Sequence, residues 1–200
     1  MEVFWSNTNE FFPFFQELAP VSNVERIVYV FVCGEKGTGK TTLIEALLTT
    51  HIADPDLPSF PFLQEYTYYG LTERTVLRLV ELKREHLYLQ EIKELCTHQK
   101  HIFVFVYAID DLPSICYLKT RWIPYAKRLI SPGILTAVVE NKTDLRSEAN
   151  RNILSSEFTS YYESSLGMNY TWECSALDRQ KVHQIFLQLA NLVIREFDLQ

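Results

Sequence analysis

Residues 34–41 of this 200-residue chain read Gly-Glu-Lys-Gly-Thr-Gly-Lys-Thr, a G-x-x-x-x-G-K-T pattern. These types at this spacing suit a loop that holds a nucleoside triphosphate. Gly34, Gly37 and Gly39 let the backbone curl until the N–H groups of the segment converge on an anion, with Glu35, Lys36, Thr38 and Thr42 completing it. Lys40 supplies a point charge for the β- and γ-phosphates, which also makes it the first candidate for catalysis. The Thr41 hydroxyl is a ligand for Mg²⁺. A second cluster, Asn141-Lys142-Thr143-Asp144, can identify the base. The Asp144 carboxylate can accept from guanine N1–H and the 2-amino group. Adenine offers no such pair, and a buried carboxylate left unpaired is costly. Asn141 can meet the Hoogsteen side of the base and the Lys142 stem can cover its face. In a third piece, Glu173-Cys174-Ser175-Ala176-Leu177, the backbone N–H groups of Ser175, Ala176 and Leu177 can reach the guanine carbonyl oxygen.

Such residues act only if the fold gathers them. The run 27–33 has the β-branched and aromatic content of a buried strand, and Leu43, Ile44, Leu47 and Leu48 follow the loop at helical spacing, predicting a helix over 40–50. Strand, loop and helix in that order are what the phosphate-binding motif requires. Further strands are predicted at 64–70, 75–81, 102–109, 134–139 and 170–174, the first two as a hairpin turning at 71–74. Helices are predicted at 85–97, 114–130, 155–166 and 178–197, the last with a core stripe of Val182, Ile185, Phe186, Leu189, Leu192 and Val193. Alternating strands and helices with continuously apolar strands mean an α/β domain: a six-stranded, mostly parallel sheet flanked by helices, with the ligand at the carboxyl ends of the strands. Residues 1–25, rich in Phe and Trp, read as an extension to a domain over 26–200.

Composition narrows the partners. The formal net charge of −6 argues against a generic nucleic-acid or anionic-membrane surface. Cys33, Cys96, Cys116 and Cys174 show no C-x-x-C spacing and read as thiols in a reducing compartment. The longest apolar runs are strand-length, well short of the ~20 residues of a membrane span. Neither a targeting leader nor a prenylation cysteine is legible, so the expectation is a cytoplasmic protein, with peripheral attachment through a partner or the aromatic 1–25 segment left open.

The three motifs, in this order and spacing, resemble the Ras superfamily of small GTPases over about residues 26–197, a P-loop NTPase fold. The resemblance implies GTP/GDP and Mg²⁺ as ligands, GTP hydrolysis, and an effector or regulator protein as partner. It also implies a switch hydroxyl about 19 residues after Lys40, which counting places at Ser59, with Thr50 and Thr67 as alternatives. The family's Asp-x-x-Gly and its water-positioning Gln align with Glu81-Leu82-Lys83-Arg84 and Glu85. Glu81 keeps a carboxylate suited to a Mg²⁺-bound water. Arg84 replaces a Gly whose flexibility and bare N–H sense the γ-phosphate, and an ionised Glu85 accepts but cannot donate. Lys36 stands where the family has a small residue, either crowding the catalytic water or, like Arg84, adding positive charge in cis.

The stretches Phe105-Val106-Tyr107-Ala108-Ile109-Asp110, Ser114-Ile115 and Thr120-Arg121-Trp122-Ile123-Pro124 look like the N-terminal GTPase domain of mitochondrial Rho (Miro) proteins, which share the loss of Asp-x-x-Gly. The interval from Asp144 to Ser175 is too short for the usual Rho insert helix, and the calcium-binding hands, second GTPase domain and anchor of Miro have no counterpart in these residues. The expectation is therefore an atypical member with Miro and Rho character and slow or regulated hydrolysis. A non-hydrolysing GTP-binding module and another P-loop enzyme, such as a small-molecule kinase, are the alternatives. Cys96, His98 and His101 cluster but read as a helix end and strand start rather than a metal site. Asp110-Asp111 reads as a helix cap or a distant neighbour of the nucleotide.

Overall fold

The computed structural model describes residues 26–47, 64–72, 75–83, 89–98, 100–129, 135–147 and 153–198. The elements are β1 (Arg26–Cys33), α1 (Lys40–Leu47), β2 (Gln64–Thr72), β3 (Thr75–Glu81), α2 (Leu89–His98), β4 (Lys100–Ala108), α3 (Leu112–Tyr117), α4 (Ile123–Lys127), β5 (Thr136–Asn141), α5 (Ser156–Ser164), β6 (Tyr170–Glu173) and α6 (Arg179–Asp198). They form one six-stranded sheet in the order β2-β3-β1-β4-β5-β6. β3, β1, β4, β5 and β6 run parallel, and β2 joins the edge antiparallel to β3. The expected architecture is observed, hairpin included.

The strands alternate because successive side chains leave opposite faces of a sheet. Val28, Val30 and Val32 of β1, with Val104 and Val106 of β4, meet Leu43, Ile44 and Leu47 of α1 and Val182, Phe186 and Leu189 of α6. The odd-numbered residues carry aromatics to the other face. Tyr29, Phe31, Phe103, Phe105 and Tyr107 join Ile92 of α2, Ile115 of α3 and Tyr125 of α4. Phe31 stacks on Phe103 at 5.0 Å between ring centroids. Each such side chain, fully buried, contributes on the order of 1.5–3 kcal/mol. The expected stripe on α6 faces the first of these clusters, with Leu192 packed at its margin.

Two differences from the sequence reading bear on the site. The helix expected over 114–130 is α3, a π turn at Leu118–Trp122 and α4, running on without a break. Pro124 accounts for the widening: it cannot donate to the carbonyl four residues back, and its ring needs room in the preceding turn. β5 extends to Asn141, so this residue ends the strand rather than following it.

The four cysteines are free. Burial pushes the Cys33 thiol up; it raises those of Cys96 and Cys174 to about 12. His101 is a core residue, set edge-on to Phe31 and Phe103. The side chain of His98 lies outside the described residues, as do the 1–25 extension and positions 48–50 and 73–74. None of the described helices is long and apolar enough to cross a membrane.

Candidate functional site

The phosphate-binding motif occupies the turn between β1 and α1. Gly34 and Gly39 are demanded by space as well as by backbone shape, Gly37 by backbone shape. Gly34, Gly37 and Gly39 have φ of 146°, 89° and 87°. A Cβ on Gly34 would fall 2.2 Å from the Val106 carbonyl oxygen, and one on Gly39 would fall 2.4 Å from Asn141 Nδ2. α1 begins at Lys40, so its first N–H groups, including those of Thr41 and Thr42, have no acceptor within the helix and its positive end lies at the loop. Lys40 is buried, and its ammonium donates to the carbonyls of Gly34 at 2.7 Å and Glu35 at 2.8 Å. Burial pulls its pKa down, while the Glu81 carboxylate opposes that shift.

Thr38 is fully buried and donates its hydroxyl to the Glu35 carbonyl. The Glu35 side chain turns away from the loop. Its Oε1 accepts from Trp122 Nε1 at 3.2 Å, and the Arg121 guanidinium lies 4.0 Å away. The π turn thus ties this helix to the loop, a contact that no local sequence signal announces. Lys36 is exposed, as is Thr42.

Glu81 ends β3, and its strand is held there by the Leu82 N–H bonding the Val32 carbonyl. Thr41 Oγ1 lies 2.9 Å from each oxygen of the Glu81 carboxylate. A hydroxyl and a carboxylate, both hard oxygen donors, side by side at the phosphate loop fit a Mg²⁺ site. Ser59 and Thr50, with Arg84 and Glu85, lie outside the described residues. Thr67 lies within β2, paired with Arg78.

At the other end of the site the strand ends are stitched together. Ile109 N–H bonds the Asn141 carbonyl, Thr143 N–H the Cys174 carbonyl, and Cys174 N–H the Glu140 carbonyl. Asn141 is fully buried. Its amide donates to the Thr38 carbonyl at 2.8 Å, and its Oδ1 accepts from Ala176 N–H at 3.0 Å. One side chain therefore joins all three motifs. One amide N–H and one oxygen lone pair are thereby used inside the protein. In the third motif two backbone N–H groups have partners within the protein. Ala176 N–H is taken by Asn141, and Leu177 N–H by the Ser175 hydroxyl at 3.1 Å, while the Leu177 side chain is exposed.

Lys142 adopts φ 66°, the positive φ among the described non-glycine residues, and its ammonium sits 3.0 Å from both Asp110 oxygens. That pairing corrects the capping role expected of Asp110-Asp111: Asp111 is at the α3 N-cap, but its side chain makes no capping bond. Asp144 is exposed on a short 3₁₀ turn, Thr143–Ser147, at the same carboxyl edge of the sheet.

A strand–loop–helix phosphate cradle beside a base-side cluster, on a sheet of this order, defines a small nucleotide-binding switch domain. The Ras family model matches residues 29–195, and the chain belongs to the Ras family, the small GTP-binding switch proteins. Among relatives, it is 28% identical over 185 residues to Rho-related protein racM of Dictyostelium discoideum, covering 85% of this chain and 91% of that protein. It is 25% identical over 170 residues to Mitochondrial Rho GTPase 1 of Arabidopsis thaliana, covering 84% of this chain but 25% of that longer protein. The Rho likeness seen in the sequence is thus found in the first of these relatives and the Miro likeness in the second.

Proposed function

We propose that this protein is a guanine-nucleotide-binding switch that hydrolyses GTP slowly. The observation that carries the reading is Asn141, whose amide joins Thr38 of the phosphate loop to Ala176 of the third motif, so that the phosphate and base ends form one unit. Gly34 to Thr42 bind the phosphates through backbone N–H groups, and Lys40 offsets charge on the β- and γ-phosphates. Asp144 accepts from the guanine edge. The Lys142 stem covers the base, steadied by Asp110. Ser175, Ala176 and Leu177 wall the base side.

Thr41, hydrogen-bonded to Glu81, would hold Mg²⁺ with Ser59 as a second oxygen donor, and the ion would supply charge neutralisation to the phosphates. Slow turnover follows from the residues after Glu81. Arg84 lacks the freedom of the glycine it replaces, and Glu85 cannot both orient water and donate to the developing charge. The partner is an effector or regulator protein that reads the nucleotide state. The location is cytoplasmic, or peripheral to a membrane through that partner.

The nucleotide that copurifies tests this reading. Released by denaturation and identified chromatographically, it is expected to be GTP or GDP in near-stoichiometric amount. Adenine nucleotide, or none, contradicts the proposal. GTP that stays bound for hours in a single-turnover assay without phosphate release would leave binding intact and remove hydrolysis.

A further inference from the structure

Glu140 interrupts the apolar run of β5 one residue before Asn141, and it is 3% exposed. Its register partner on β4 is Tyr107, which is fully buried. The Tyr107 hydroxyl bonds Glu140 Oε2 and also lies 2.8 Å from Glu163 Oε1 on α5. Arg146, on the same 3₁₀ turn as Asp144, pairs with Glu140 Oε1 and, at 2.9 Å, with Glu173 Oε2 of β6. Its other contact is Thr159 on α5. Lys119 of the π turn is directed to Ser165 and the Tyr162 ring.

Counting protons decides how this cluster is charged. A phenol has a single proton, so it cannot donate to two ionised carboxylates at once. Glu140 is the carboxylate paired with the guanidinium, so its two oxygens serve as acceptors, one for Arg146 and one for Tyr107. The contact with Glu163 then needs a proton on Glu163. Two other observations agree. Burial, helped by the nearby Glu140 and Glu173 charges, raises the Glu163 pKa against the opposing pull of Arg146 and the Tyr107 bond. Burial and the Glu140 bond also raise the Tyr107 phenol, which therefore keeps its own proton.

We infer that Glu163 is a proton-binding residue whose neutral acid completes the chain Glu163–Tyr107–Glu140–Arg146, and whose ionisation loosens the turn carrying Asp144. When the proton leaves, the Glu163–Tyr107 bond is lost and two carboxylates repel across the phenol. Arg146 is the only link in that chain that belongs to the base-side turn, so the disturbance passes through it. The unfolded chain releases the same proton at the ordinary carboxyl pKa, which lies lower. The contribution of this group is therefore fully present below the ordinary carboxyl pKa and is lost as pH rises through the raised Glu163 pKa. The effect on guanine binding rests on the function proposed above; the proton itself does not.

The test uses the full chain and its Glu163→Gln variant, whose amide donates to Tyr107 at every pH. Denaturant stability and the release rate of a fluorescent GDP are measured from mildly acidic to mildly alkaline pH. In the wild type, stability is expected to fall and GDP release to quicken several-fold across that range; in the variant both slopes vanish. Equal stability slopes in the two proteins overturn the assignment of the proton. A lost stability slope with GDP release that never depends on pH overturns the link to the base-side turn. Failure of both proteins to bind GDP contradicts the proposed function, while the stability slopes still decide where the proton is. Should the variant not fold, infrared spectroscopy of the wild type decides. A neutral-acid carbonyl band that persists above the ordinary carboxyl range and disappears as pH rises further is expected, and its loss within the ordinary carboxyl range overturns the inference.

Discussion

Replacing Gly39 by alanine is expected to destabilise the protein by about 2–6 kcal/mol and to speed nucleotide release on the order of 100-fold. The new methyl would lie 2.4 Å from Asn141 Nδ2, closer than van der Waals contact allows, at a backbone φ of 87° that disfavours any side chain. The Asn141 side chain must move. Moving it breaks its bond to the Thr38 carbonyl, a buried acceptor within the phosphate loop. An unsatisfied buried carbonyl costs about 1–3 kcal/mol, and the strained backbone costs a similar amount. Denaturant unfolding together with release of a fluorescent nucleotide measures both losses. A change below about 1 kcal/mol would show that the loop yields freely and that the contact with Asn141 is incidental.

Asn141→Ala attacks the same tie from the other side. It orphans two buried groups, the Thr38 carbonyl and the Ala176 N–H, for an expected loss of about 2–6 kcal/mol. Asn141→Asp separates the two bonds. It keeps an acceptor for Ala176 but turns a carboxylate oxygen towards the Thr38 carbonyl, so it is expected to be no better than alanine. The double variant Gly39→Ala, Asn141→Ala should lose less than the sum of the single losses, because the first substitution has already broken a bond that the second removes. Strict additivity in a double-mutant cycle of stability would contradict this coupling.

The contrast between Asn141 and the strands shows what the sequence could and could not tell. Val28 to Cys33 and Ile102 to Ala108 are apolar at nearly every position, which is enough to infer strands covered on both faces, and they are. The phosphate loop was legible for the same local reason: its chemistry lies in eight consecutive residues between a strand and a helix. Asn141 was legible as part of a motif but not in its action, because its two partners lie 103 and 35 residues away in the chain. The link from Glu35 to Trp122 spans 87 residues and leaves no trace in local pattern. The π turn needed Pro124 to be read as a disturbance within a continuing helix rather than as an ordinary first-turn proline. Glu140 did leave a trace. A charge inside the run Ala137-Val138-Val139-Glu140 must be paired or neutralised when buried, and that anomaly leads directly to Arg146, Tyr107 and Glu163.

The family places this chain among small GTP-binding switch proteins, while its own residues set how that role is carried out. Thr41 and Glu81 face each other where a divalent cation would be held, and Glu81 keeps its carboxylate although the glycine three residues later is replaced by Arg84. The proposed binding rests on residues that the fold brings together, and the proposed slow turnover on the residue types at 84 and 85.

The central claim is that Asp144 reads guanine, and Asp144→Asn tests it most directly. A carboxylate accepts from the N1–H and 2-amino group of guanine, whereas an amide presents a donor to one of them and fits the 2-oxo group of xanthine. With fluorescent GDP and XDP titrated against both proteins, the variant is expected to lose on the order of 100-fold in GDP affinity and to gain in XDP affinity, reversing the preference. A variant that binds GDP as tightly as the wild type, with XDP still disfavoured, would contradict guanine recognition by Asp144 and with it the proposed function.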